Sequence, residues 1–157
     1  MTHRASLPRS GPTVPGAATI VSSQLSVQTR GTGFVDITDE VAGFLREAGA
    51  GEGAVTLFIR HTSASLTIQE NADPSVLKDL TTALSRIAPE HAGWVHDTEG
   101  PDDMPAHIMT MLTSVSLQIP VLSGKMALGT WQGIYVVEHR ARPHRRDIVL
   151  QFMGSLG

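Results

Sequence analysis

With 157 residues, 41% of them hydrophobic and 17% charged, the chain can bury one core and lacks the composition of a disordered protein. A net charge of −3 argues against a general nucleic-acid binder, and no apolar run approaches the roughly 20 residues of a membrane-spanning helix. The lack of cysteine excludes disulfides and thiolate metal sites, fits a reducing cytoplasm, and leaves any metal to histidines and carboxylates.

Residues 1–18 mix Pro, Ser, Gly and Ala without periodicity and read as a disordered leader before a single domain, 19–157. Ser22 to Thr29 alternates as a half-buried strand, and Phe34 to Ile37 continues extended after a Gly-Thr-Gly turn. Thr38 is an expected N-cap, with Asp39 and Glu40 suited to a first helical turn. Val41, Phe44, Leu45 and Ala48 form one helical face before Gly49 ends it. Ala54 to Arg60 is nearly all apolar, the pattern of a central strand covered on both faces, and Ser65 to Gln69 alternates again.

Asp73-Pro74 opens the clearest helix, whose expected buried stripe is Val76, Leu77, Leu80, Leu84 and Ile87 before Pro89. After a loop, Met104-Pro105 begins a third helix that runs through Leu112. Ser116–Val121, Lys125–Leu128, Gly133–Glu138 and Ile148–Met153 read as four closing strands. Mixed strands and helices followed by a run of strands indicate an α+β fold with antiparallel sheets.

Chemistry concentrates between Trp94 and Gln132, with His61 upstream. His61 follows the central strand, where a rigid scaffold can present it, although a core-edge histidine bound to a backbone carbonyl would look the same. Glu70 and Asn71 sit at a strand-to-helix junction whose amides suit an anion. His96, Asp97, Glu99, Asp102, Asp103 and His107 are ligand types for a cysteine-free divalent site, and Asp103 and His107 share a helix face. Asp102 or Asp103 could equally cap the helix. Gly129 and Gly133 flank Thr130, Trp131 and Gln132, so the backbone there could cradle phosphate or simply form a bulge. Glu138 and His139 face opposite ways on a strand, so one of them at most enters a site. Arg140, Arg142, Arg145 and Arg146 form a basic hairpin, either solvated or a phosphate clamp.

In order, His61-Thr62-Ser63-Ala64-Ser65-Leu66-Thr67, Glu70-Asn71-Ala72-Asp73-Pro74, His96, Asp102 with His107, Ser116-Leu117-Gln118-Ile119-Pro120, Gly124 and Leu128-Gly129-Thr130-Trp131-Gln132-Gly133 resemble the YjbQ-like family. These are small bacterial and archaeal proteins also called secondary thiamine-phosphate synthase enzymes. The resemblance spans about Ser22 to Gly154. It implies a two-sheet β-sandwich with flanking helices, assembled as a homotrimer, with a polar pocket near subunit contacts. The matching pocket positions are His61, Glu70, Asn71, His96, Asp102, His107, Thr130, Gln132 and Glu138.

The activity implied by the resemblance joins a pyrimidine pyrophosphate to a thiazole phosphate, possessing the character of a secondary reaction. Departure of pyrophosphate leaves a cationic methylene for the thiazole nitrogen to attack. Mg²⁺ or another divalent ion, Arg145 or Arg146 and helix amides would stabilise the leaving group, with His61, His107 and Glu138 as the catalytic candidates. The alternative expectation is a binding protein in which His61, His96 and His107 hold Mg²⁺ or Zn²⁺ and Gly129–Gln132 hold a phosphorylated metabolite. A hydrolase fits less well, since no nucleophile-elbow pattern accompanies the Ser and His residues.

Overall fold

The computed structural model describes residues 12 and 16–157, so most of the expected leader lies outside the described residues. Eight strands and three helices follow in the order β1 (Thr19–Gln28), β2 (Gly33–Asp36), α1 (Thr38–Glu47), β3 (Ala50–Ile59), β4 (Ala64–Glu70), α2 (Pro74–Ile87), α3 (Asp103–Leu112), β5 (Ser116–Leu122), β6 (Lys125–Met126), β7 (Gln132–Glu138) and β8 (Arg145–Leu156). They build a five-stranded sheet, β1-β8-β3-β5-β6, and a three-stranded sheet, β2-β7-β4. All strand pairs are antiparallel, as the run of short alternating segments leads one to expect.

Both sheets supply one core. Val55, Leu57 and Ile59 of β3, Ile148, Leu150 and Phe152 of β8, Leu66 of β4, and Ile134 and Val136 of β7 meet there, closed by Val41, Phe44 and Leu45 of α1. Each fully buried side chain of this kind contributes roughly 1.5–3 kcal/mol of transfer free energy. β3 is covered on one face only, since Phe58 is 47% exposed. The strand enclosed on both faces is β7, buried from Gly133 to Glu138. The apolar run at 54–60 therefore marks a strand with a greasy outer face, a pattern that periodicity cannot separate from double coverage.

Helix ends differ in detail from the sequence expectation. Thr38 is the first helical residue of α1 rather than its cap. The Asp36 carboxylate accepts the Thr38 amide at 2.9 Å and its hydroxyl at 2.6 Å, while that hydroxyl accepts the Ile134 amide at 2.9 Å and pins α1 to β7. Asp73 does cap α2, accepting the Ser75 amide at 2.9 Å. The α2 stripe is present but none of its residues is buried, and Ile87 is 62% exposed.

β3 and β8 approach closely where the register shifts between Ala50 and Gly53. A Cβ on Gly53 would stand 2.2 Å from the Met153 carbonyl oxygen, which excludes any larger residue without moving backbone. Gly53→Ala is expected to lower stability by about 1–3 kcal/mol. By contrast, Gly43 lies in α1, where a Cβ meets nothing nearer than the Arg46 guanidinium at 3.6 Å. Gly43→Ala should raise stability by about 0.5–1 kcal/mol. Thermal unfolding midpoints of the two variants, moving in opposite directions, check this account.

Candidate metal centre

The first turn of α3 and the loop before it bring three expected ligand types together. His96 Nε2 lies 2.8 Å from Asp103 Oδ2, and His107 Nε2 lies 3.1 Å from the same oxygen. One ligand atom from each of His96, Asp103 and His107 falls within 4.8 Å of the others. The imidazole centroids are 5.5 Å apart. Asp103 is only 2% exposed, whereas both histidines reach solvent, so the group opens outward from a buried base.

The hydrogen bonding fixes which nitrogen is available. His107 Nδ1 lies 2.8 Å from the Thr62 carbonyl, which can only accept, so Nδ1 carries a proton. In neutral imidazole Nε2 then presents a bare lone pair to a carboxylate oxygen. Two acceptors facing at 3.1 Å call for a proton or a cation between them. A ring N–H held by a backbone carbonyl, with the other nitrogen free, is how metal-binding histidines are oriented.

Arg140 supports the acid from behind. Its Nη1 pairs with Asp103 Oδ1, its Nε with Asp102 Oδ2 at 3.1 Å, and its Nη2 with the Glu99 carbonyl at 2.8 Å. Burial raises the Asp103 pKa, but the His96 hydrogen bond and the Arg140 charge outweigh it and hold the carboxyl below its ordinary range. Asp102 makes no side-chain cap bond to α3; it accepts Arg140 and the Ala141 amide at 2.8 Å instead. Beside it lies a cavity of about 560 Å³ lined by residues that include Glu99, Asp102, Arg140 and Arg142.

The other expected site residues lie elsewhere in the chain's structure. His61 does not join this group, because its Nε2 accepts the Asp147 amide at 2.9 Å and its Nδ1 faces Arg146 at 3.4 Å. Burial and the Arg146 charge lower its pKa. Glu138 is fully enclosed, taking Arg146 Nε at 2.7 Å, Thr29 Oγ1 at 2.8 Å and the Arg140 amide at 2.9 Å. Burial raises its pKa, but the Arg146 hydrogen bond and the others overcome that and keep it ionised. It is thus half of an internal ion pair, with no open face for proton transfer. Arg146, 3% exposed, is consumed by Glu138 and Ser63, while exposed Arg145 binds Asp147 and Ser26, so neither is the clamp of this centre.

Glu70, Asn71, Thr130 and Gln132 form a separate group. Glu70 pairs with Gln132 across β4 and β7, and the Asn71 amide donates to the Trp131 carbonyl at 3.1 Å. Ala64 pairs with Glu138 at the other end of those strands. Six strand positions separate the ends, about 20 Å at 3.3 Å per residue.

Asp103, expected either as a ligand type sharing a helix face with His107 or as a cap, is the carboxylate both imidazoles face, and the arginine upon it is Arg140 rather than Arg145 or Arg146. Sequence reasoning had nothing local to mark Arg140 over its neighbours. It also left aside His139, 4% exposed, whose Nε2 lies 2.9 Å from Ser65 Oγ.

These features define a small α+β domain of two antiparallel sheets carrying a histidine–aspartate centre at a helix start. The UPF0047 protein YjbQ-like family model matches residues 23–155, and the chain belongs to that family. A UPF0047 protein of Synechocystis is 42% identical over 91% of this chain and 99% of its own. The UPF0047 protein YjbQ of Salmonella typhimurium is 41% identical over 83% and 96%. The crystal structure of an uncharacterized conserved protein of the same family from Clostridium acetobutylicum, 37% identical, superposes with a TM-score of 0.78 over 83% of this chain and 98% of that one.

Burial lowers the His139 pKa to about 4. Unfolded, it titrates near ~6.5, so between those limits the unfolded state binds more protons and stability falls as the pH drops. His61, also lowered, acts in the same direction. Urea unfolding is expected to show a loss on the order of 3 kcal/mol between pH ~6.5 and ~4. His139→Gln should flatten that slope, and an unchanged slope would assign it to other groups.

Proposed function

We propose that the chain is a divalent-cation-dependent protein acting on a small phosphorylated metabolite, with His96, Asp103 and His107 as the cation's ligands. The observation that carries this reading is the convergence of one ligand atom each from His96, Asp103 and His107 within 4.8 Å, with the far nitrogen of His107 held by the Thr62 carbonyl. Two imidazoles and one carboxylate suit Zn²⁺ better than Mg²⁺, which prefers oxygen ligands. Three protein ligands leave room for substrate. When bound, such a cation supplies Lewis-acid stabilisation of developing negative charge. Arg140 orients Asp103, the Thr62 carbonyl orients His107, and Arg142 offers a second positive charge along the neighbouring cavity.

The purified protein is expected to carry close to one Zn²⁺ per chain by elemental analysis. His96→Ala, a change at an exposed residue, should weaken that affinity strongly without unfolding, and Arg140→Gln should do so by about 10–100-fold through misplacing Asp103. Because cation binding displaces protons, affinity should fall as the pH is lowered. No stoichiometric metal after reconstitution sinks the proposal.

Thiamine-phosphate synthase-type transfer is the specific form of this proposal, with the cavity beside Asp102, where Arg142 stands, as the place for a diphosphate. Its test is formation of thiamine phosphate from the pyrimidine pyrophosphate and thiazole phosphate by wild type and His96→Ala. No product from wild type rejects the transfer while leaving cation binding to be read separately, and equal turnover by both rejects a part for the cation centre in it.

A cytoplasmic homotrimer belongs to the same proposal. Among the described residues no helix is long and apolar enough to cross a membrane. The unburied stripe of α2 and the outer-sheet residues Phe58 and Met153, 47% and 52% exposed, are surfaces for a second copy. Light scattering should give three times the chain mass, and Ile87→Glu or Phe58→Glu should reduce it.

A further inference from the structure

A second cavity, of about 550 Å³, lies between the last turn of α1, the β5–β6 turn and the loop ending at Gln132. Its size is that of a small-molecule site. Ala42, Leu45, Met126 and Leu128 give it an apolar floor, and Arg46 and Lys125 stand at its wall. No acidic residue lines it. Among the described residues neither cation has a carboxylate partner; the ion pairs are made by His96, His107, Arg140, Arg145 and Arg146.

The neutral polar groups around the cavity bias it the same way. Gln132 Oε1 is taken by the Gly129 amide at 2.8 Å, which leaves its NH₂ as a donor. The Thr38 hydroxyl is spent on Asp36 and Ile134, and the Gly49 carbonyl at the end of α1 accepts the Gly157 amide. These acceptors are thus used internally, and beside the hydrocarbon surface stand two positive charges, the Gln132 amide donor and the Ser123 hydroxyl, which lies 3.3 Å from the Glu52 carboxylate.

We propose that this cavity binds a phosphate monoester with an apolar body, the phosphate held by Arg46 and Lys125 and the body on Leu45, Met126 and Leu128. Two unpaired cations match the charge of a phosphate monoester dianion, and the apolar floor distinguishes such an ester from free phosphate. The site uses none of His96, Asp103 or His107, so it stands or falls apart from the cation centre.

The test is titration of the full chain with phenyl phosphate, read by amide NMR shifts, with inorganic phosphate and benzyl alcohol as separate arms. Saturable shifts are expected at Gly124, Lys125 and Gly129, and both control arms should bind more weakly. The double variant Arg46→Gln, Lys125→Gln, at two exposed positions, should weaken phenyl phosphate at least tenfold. His96→Ala should leave it unchanged. Absent saturation, indifference to the double substitution, equal binding of inorganic phosphate, or loss in His96→Ala would each overturn the proposal.

Discussion

The buried pair of Glu138 and Arg146 is the interaction on which the candidate centre depends. It joins the end of β7 in the small sheet to the start of β8 in the large one, and the same guanidinium holds the Ser63 carbonyl at 3.2 Å. The second carboxylate oxygen accepts the Arg140 amide. One ion pair therefore sets where the chain leaves β7, and two residues later Arg140 reaches Asp102 and Asp103. A pair this deep adds little net stability over an apolar isostere. Removing one partner leaves a buried charge unmatched, at a cost of about 3–5 kcal/mol. Its physical role is positional.

Two links then carry that order outward to the exposed histidines. Arg140 fixes Asp103 from one side, and Asp103 faces both imidazoles with its remaining oxygen. From the other side the Thr62 carbonyl, next to the Ser63 that Arg146 holds, fixes the His107 ring. The ligand atoms are thus aimed from two segments tied to one guanidinium. The rings themselves stay accessible, which is the arrangement a centre needs to admit a substrate while keeping its ligands aligned.

Much of the fold was legible because it rests on local chemistry. Asp73-Pro74 starts α2, Gly49 with φ +64 ends α1, and the alternating runs became antiparallel strands. The extent of burial was not legible, because Phe58 and the α2 stripe are as apolar as a core without being inside one. His96 and His107 stood out by residue type, and they do converge. Which arginine meets the acids was not readable, since Arg140, Arg142, Arg145 and Arg146 differ only in where the turn after β7 directs them. Likewise the Glu138 carboxylate looked catalytic in sequence, and its burial with Arg146 is a tertiary fact.

The register of β4 against β7 bears most directly on how the family's polar residues divide. Ala64 opposite Glu138 and Glu70 opposite Gln132 put the two halves of the expected pocket at opposite ends of one strand pair. A strand is too stiff to fold those ends together, so one copy of the chain holds two polar regions rather than one. The histidine–aspartate region is acidic at its base and suits a cation, whereas the Gln132 region borders Arg46 and Lys125 and suits an anion. The charges come from the elements packed at the two ends, His96, Asp103 and His107 from α3 and the loop before it, and Arg46 and Lys125 from α1 and β6. A single ligand could touch both regions only if a second copy brought its own opposite end alongside.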